Sequence, residues 1–114
     1  MSDCIFCRIA AGEIPAERVF EDDQFLAFKD INPHAPTHLV VIPKRHVALL
    51  TDLGGEEAAF AGGWLLAANR AAAAVGVAES GYRVVANCNA DAGQEVFHIH
   101  MHVLGGRRLG WPPG

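Results

Sequence analysis

The chain has 114 residues, 51% of them hydrophobic and 19% charged, with a formal net charge of −4. That length supports one domain over residues 1–114 and leaves no room for a second core, and the composition excludes a disordered chain. The acidic balance offers no basic footprint for nucleic acid or an anionic membrane, and no apolar run approaches the roughly 18 residues of a spanning helix.

Met1-Ser2-Asp3-Cys4 carries no secretory signal, so a cytoplasmic setting is expected. Cys4 to Ala11 is expected to form a short helix, stopped around Gly12 and Pro15. Arg18–Glu21 reads as a strand, Asp22-Asp23 as a turn and Phe25–Phe28 as a second strand, before Asp30-Ile31-Asn32-Pro33 bends the chain. His38–Pro43 is a β-branched run and a natural central strand. One long helix is expected from about Gly55 to Val75, because Phe60, Trp64, Ala67, Ala71 and Val75 recur at spacings of three and four. Glu56 and Glu57 suit its positive end, and Gly76 suits its stop. Gly62-Gly63 costs that helix roughly 1 kcal/mol per residue relative to alanine, so close packing on the sheet is expected there. Tyr82–Asn87 reads as a strand, Asn89–Gly93 as a loop, and His98–Leu104 as the last strand. The sum is an α+β fold: a mostly antiparallel five-stranded sheet with one long and one short helix, both on one side.

Three of the six histidines alternate along His98-Ile99-His100-Met101-His102. Alternation puts their rings on one surface and turns Ile99, Met101 and Val103 into a core. Such a row suits either a metal ion or a phosphorus centre that needs a nucleophile and proton-bearing neighbours. For metal, Cys4-x-x-Cys7 has the spacing that tetrahedral zinc uses. Further ligands would come from His34, His38, His46 or the strand histidines, with His46 and His98 well placed. A chance pair of buried thiols also fits that spacing, and so does a catalytic zinc held by all three strand histidines. A redox role is disfavoured because no strand precedes the pair. Three cysteines, an odd number, argue against a disulfide framework, and Cys88 reads as a small buried side chain. For phosphorus, the preceding loop runs Asn87-Cys88-Asn89-Ala90-Asp91-Ala92-Gly93-Gln94-Glu95. Gly93 permits close backbone approach, and the amides of Gln94 and Glu95 would cradle an anion.

His98-Ile99-His100-Met101-His102-Val103-Leu104 resembles the signature of the histidine triad (HIT) superfamily. Ile14-Pro15-Ala16, Phe20-Glu21-Asp22-Asp23, Ala27–Pro33, Ala35-Pro36-Thr37-His38, Val41-Ile42-Pro43-Lys44, Gly81-Tyr82-Arg83, Gly93-Gln94 and Trp111-Pro112-Pro113-Gly114 resemble its nucleotide-binding (Hint) branch, over nearly the whole chain. The resemblance implies a purine nucleoside 5′-phosphoramidate hydrolase that works through a covalent nucleotidyl-histidine. His100 would be the nucleophile, with His102 and His38 beside the phosphate. Asn87, Gly93, Gln94 and Glu95 would contact the phosphate, and Asp30 the ribose hydroxyls. Phe6, Phe28 and Ile31, with Ile5 and Ile9, would form the slot for the base. It also implies a structural zinc on Cys4, Cys7, His46 and His98 that the chemistry does not need. A homodimer is implied as well, formed through the Tyr82–Asn87 strand and the long helix, with the Trp111 tail reaching the partner's active site. Glu95 departs from the serine of the eukaryotic sequences, as is common in bacterial members, and a carboxylate there favours a cationic leaving amine. Two alternatives stay open: a dinucleoside polyphosphate hydrolase or nucleotidyltransferase of the same superfamily, and a nucleotide-binding regulatory protein without catalysis.

Overall fold

Short runs of alternating or fully apolar residues build the sheet. Strands β1 (Arg18–Glu21), β2 (Phe25–Lys29), β3 (Thr37–Pro43), β4 (Tyr82–Ala86) and β5 (Met101–Gly105) join helices α1 (Ile5–Ala10) and α2 (Ala58–Ala74) in this computed structural model, which describes residues 3–114. Met1 and Ser2, the first residues of the segment read as lacking a secretory signal and of the expected 1–114 domain, lie outside the described residues. Among the described residues the five strands form one sheet in the order β1-β2-β3-β5-β4, and every neighbouring pair is antiparallel. The α+β class is as expected. Single 3-10 turns lie at Leu50–Asp52, Gly55–Glu57 and Ala90–Ala92, so the first turn of the expected long helix is the tighter Gly55–Glu57 turn.

Helix α2 buries Trp64, Ala67, Ala68, Ala71 and Ala72 against Phe25, Ala27, Leu39, Val41 and Val103 of the sheet. The indole N–H of Trp64 donates to the Val41 carbonyl at 3.0 Å, tying the helix to the central strand. Trp64→Phe removes that bond and part of the packed volume, so denaturant unfolding should show a loss of about 2 kcal/mol. A Cβ added at Gly63 would stand 3.1 Å from the Phe25 ring, whereas one at Gly62 would meet nothing within 4 Å. The close approach therefore explains Gly63 alone. Arg45 donates twice to the Glu57 carboxylate and lies 4.5 Å from the centre of the Phe60 ring, fastening the start of the helix.

The two helices do not share a side. Phe6 and Ile9 of α1 pack with Leu26, Phe28, Val40 and Ile42 on the opposite face. The reason is alternation: β2 is buried on both faces, so its second apolar row needs its own cover, and a six-residue helix with Phe6 and Ile9 three apart supplies it.

The histidine strand is also shorter than expected. Its ladder to β3 ends at the pair Val41–Met101, and its ladder to β4 ends at Ala86–Met101. Upstream, the Ile99 amide donates to the Val47 carbonyl at 2.7 Å, beyond the end of β3. His98 and His100 thus precede the sheet, His98 at the end of a bend, and are held there by other partners. Alternation survives: Ile99 and Val103 are buried in the core beneath α2, while His100 packs edge-on against Phe6 on the α1 side.

Candidate active site and metal centre

Strands β3 and β5 bring the catalytic candidates together through register. His38 stands opposite Leu104, and Val40 opposite His102, so His38 and His102 are diagonal neighbours on one face. His100 follows on the same face, its ring centre 5.1 Å from that of His102.

Backbone groups determine which ring nitrogen of each imidazole carries the proton. His100 donates from Nδ1 to the His98 carbonyl at 2.8 Å, which leaves Nε2 with a lone pair. The His34 amide donates to Nδ1 of His38 at 3.0 Å, so the proton of neutral His38 sits on Nε2. That Nε2 lies 2.9 Å from Nδ1 of His102 and 3.4 Å from a carboxylate oxygen of Asp30. With Nδ1 of His102 accepting, its own proton is on Nε2. The set presents one free lone pair, on His100, and one N–H donor, on His102.

Burial favours the uncharged form of His38 and His102. His102 is pushed down to about 4, first by desolvation and then by repulsion from His100 and His38. His38 is lowered too, again chiefly by desolvation, with Asp30 opposing. For His102 the folded pKa lies below the ordinary 6.5, so the unfolded chain takes up the proton first as pH falls. The associated stability is complete above pH 6.5 and is lost on the way down through about 4. Denaturant midpoints should therefore be flat near neutrality and fall steadily between those two values.

The histidines open onto a cleft of about 800 Å³. Every residue expected to contact nucleotide lines it: Phe6, Phe28, Asp30, Ile31, Asn87, Gly93, Gln94 and Glu95, together with His38, His100 and His102. Their situations differ. Phe6 and Phe28 are buried walls, with ring centres 5.9 Å apart, and Phe6 also stands edge-on 5.0 Å from His100. Ile31 is 93% exposed, a rim residue rather than part of a closed slot. Asp30 accepts from the Asn32 amide at 2.8 Å through one oxygen.

Gln94 is a brace for the loop. Its buried side chain accepts from the Asn89 amide at 2.7 Å and donates to the carbonyls of Ala48 and Val96 at 2.9 and 3.1 Å. Its own amide donates to Asn89 at 3.1 Å. The expected two-amide cradle therefore loses the Gln94 N–H to the loop itself. Gly93 does adopt the left-handed conformation, with φ of +79°. Cys88 is half-buried rather than buried.

Sequence reasoning does reach the His98 carbonyl, since a free nitrogen on His100 requires a fixed backbone acceptor for the other, and the structure places it there. Two features of the site have no such signal. The amide of His34 is a backbone group, which carries no residue signature. The tail is the second: Pro113 and Gly114 line this chain's own cleft, while Arg83 donates to the Gly110 carbonyl at 2.8 Å and lies 5.9 Å from the centre of the Trp111 ring. Within one chain the tail folds back toward its own site.

Beyond the cleft, Cys4, Cys7, His46 and His98 converge. Cys4 caps the start of α1 and its sulfur accepts from the Cys7 amide. The Nδ1 of His98 lies 3.2 and 3.5 Å from the two sulfurs and 3.3 Å from Nδ1 of His46, which is 3.4 Å from Cys7 Sγ. A tetrahedral zinc site has nitrogen–nitrogen edges of about 3.3 Å and nitrogen–sulfur edges of about 3.6 Å, from bond lengths near 2.05 and 2.3 Å. The four separations given lie close to those edges, and all four ligand atoms lie within 4.8 Å of one another, so the residues fit such a metal. His98 is prepared for the role, since its Nε2 donates to the Pro43 carbonyl at 2.7 Å and leaves Nδ1 as the ligand. This arrangement overturns a single metal on all three strand histidines: His98 turns to the cysteines, and His102 to His38.

A buried imidazole with its Nε2 lone pair free, a neighbouring imidazole donor and an open cleft on a five-stranded antiparallel sheet point to a histidine-triad protein. The chain belongs to the HIT domain family, which it matches over residues 11–109. It is 44% identical over 108 residues to a purine nucleoside phosphoramidase of Escherichia coli strain K12, covering 95% of this chain and 91% of that one. Among solved structures it resembles a HIT family hydrolase from Legionella pneumophila, with a TM-score of 0.94 and 53% identity over 98% of this chain and all of the other. A zinc-bound histidine triad protein from Mycobacterium smegmatis is 38% identical, with a TM-score of 0.76 over 98% of this chain and 80% of that one.

Proposed function

We propose that the protein hydrolyses purine nucleoside 5′-phosphoramidates by way of a nucleotidyl-His100 intermediate. The observation that carries this reading is the locked tautomer of His100, whose Nδ1 proton is held by the His98 carbonyl. Its Nε2 lone pair attacks phosphorus, the P–N bond breaks, and the amine departs as it gains a proton. The Nε2–H of His102 donates to the phosphoryl oxygens as charge builds, and His38 holds His102 in that tautomer. Water then attacks the nucleotidyl-imidazole, releasing the nucleoside monophosphate and restoring His100. The E. coli relative, named for purine nucleoside phosphoramidate cleavage, supports the substrate class. Asp30 would hold the ribose, the Asn87 and Gly93–Glu95 segment the phosphate, and Phe6, Phe28 and Ile31 the base. The direct test sets an adenosine phosphoramidate beside a diadenosine polyphosphate. Faster turnover of the polyphosphate would replace this reading with that of a dinucleoside polyphosphate hydrolase.

The metal at Cys4, Cys7, His46 and His98 is read as a structural zinc, which joins α1 to the segment entering β5 and supplies stability rather than a reaction step. A homodimer through β4, an edge strand, and α2, with Leu65 and Leu66 46% and 52% exposed, fits the fold, and a cytoplasmic setting fits the thiol ligands.

Glu95 bears on the leaving group. It lines the cleft beside the phosphate-binding segment, where its carboxylate attracts a cationic amine more than a neutral one. Glu95→Ser should lower the ratio of lysyl to neutral-amine phosphoramidate turnover several-fold, as befits one exposed charge pair. An unchanged ratio would remove Glu95 from specificity.

A further inference from the structure

The proton chain of the site depends on one backbone amide, and that amide belongs to a short loop clamped from outside. His34 sits between Pro33 and Ala35-Pro36, and its N–H fills the Nδ1 lone pair of His38. On the outer side, Arg107 donates to the His34 carbonyl at 3.0 Å. Just before it, Gly106 adopts φ of +87°, and a Cβ there would stand 2.8 Å from Pro36. The turn leaving β5 is thus pressed against the loop through a position that only glycine fills without a clash.

We infer that Arg107 is a positioning residue for the reaction: it holds His34 by its carbonyl, one peptide unit beyond the Pro33–His34 amide, and so fixes the residue whose N–H keeps the proton of His38 on Nε2. The alternative tautomer would place a proton on Nδ1 facing the His34 N–H, donor against donor, and would leave Nε2 bare between His102 and Asp30. A bare Nε2 supplies no proton to Nδ1 of His102. His102 would then hold its own proton on Nδ1 and turn a lone pair, instead of an N–H, toward the phosphoryl oxygens. The carboxylate of Asp30, 3.4 Å from Nε2, favours the same tautomer as the amide. The clamp decides how firmly the amide is presented. Asp30, His38 and His102 also lie close enough to share a metal ion, and a proton on Nε2 denies that ion one of its three ligands.

The inference rests on the proposed hydrolase reading for its kinetic consequence but not for its spectroscopic one. In nitrogen-15 spectra of histidine-labelled protein, the wild type should show His38 with Nδ1 unprotonated and Nε2 protonated. Arg107→Ala should shift the His38 and His102 resonances toward a mixture of tautomers, and Arg107→Lys, which keeps a donor, should lie between. Turnover should fall about ten-fold in kcat for Arg107→Ala, the worth of one charge-assisted hydrogen bond, with KM within about two-fold. Arg107 is exposed, and the circular dichroism and melting of both variants report whether they fold. Unchanged His38 resonances in folded Arg107→Ala, or a wild-type His38 protonated on Nδ1, would overturn the clamp. Failure of the wild type to cleave any phosphoramidate would overturn the hydrolase reading and leave the spectroscopic test standing.

Discussion

Alanine in place of His100 is expected to abolish phosphoramidate turnover, by at least about 10⁴-fold, while nucleoside monophosphate still binds. The size follows from what is removed. Among His38, His100 and His102, His100 is the imidazole whose cleft-facing nitrogen has a lone pair, because the His98 carbonyl holds the Nδ1 proton and the His34–His38–His102 chain ends in a donor. Neither His102 nor His38 can replace it without reversing that chain. Binding should persist because the loop braced by Gln94 is held by its own hydrogen bonds, and Phe6, though it loses its edge contact with His100, keeps its packing on Phe28. Rapid mixing with substrate should trap one nucleotide mass on the wild-type protein and none on His100→Ala. Retained turnover in the variant would refute a covalent histidine, and loss of both binding and turnover would point to collapse of the cleft. A binding protein without catalysis would instead show no turnover even in the wild type.

The second large effect concerns the metal centre. Chelation, or Cys4→Ser with Cys7→Ser, is expected to cost at least about 3 kcal/mol, roughly 10 °C or more in Tm for a domain of this size. Four ligands from three separate stretches meet there, so their loss frees the first helix and leaves His98, wholly buried, facing two unbridged polar groups. Burial already holds His98 below its usual pKa; charging that ring in place is therefore no remedy. Thermal melts with and without a strong chelator, on the wild type and the double variant, make the comparison. Equal melting temperatures throughout would remove the metal from the stability of the fold. The activity of protein that remains folded should fall less, because the proposed reaction routes no step through the metal.

Much of this was legible in the sequence because it depends on periodicity. The β-branched run His38–Pro43 and the three-and-four spacing from Phe60 to Val75 translate directly into β3 and α2. The alternation of His98, His100 and His102 put three rings on one face, and Cys4-x-x-Cys7 announced two thiols that meet His46 and His98 where a metal could be held. Motif resemblance then assigned roles to Asp30, Asn87 and Glu95, each of which lines the cleft. The side that α1 covers was not legible, because a short helix has too few positions to declare a direction, and the choice was made by the second buried face of β2. The end of the β5 ladder at Met101 was hidden for a different reason: a hydrogen bond from Ile99 to Val47 competes there with the ladder. Gln94 looked like a phosphate contact in a polar loop, yet four hydrogen bonds make it the loop's frame. Partners such as the His34 amide leave no trace in side-chain identity, since any residue but proline brings one.

The pairing of β3 with β5 has a consequence for how this protein can change over evolutionary time. Deleting or inserting a single residue in either strand would swing the imidazoles under α2 and expose Ile99 and Val103 to water, ruining chemistry and cohesion together. Exposed cleft positions outside that pairing, such as Ile31 and Glu95, can change identity more freely, and new specificities should arise there. The segment from His98 to Gly105 can only be edited in place, letter by letter, at constant length.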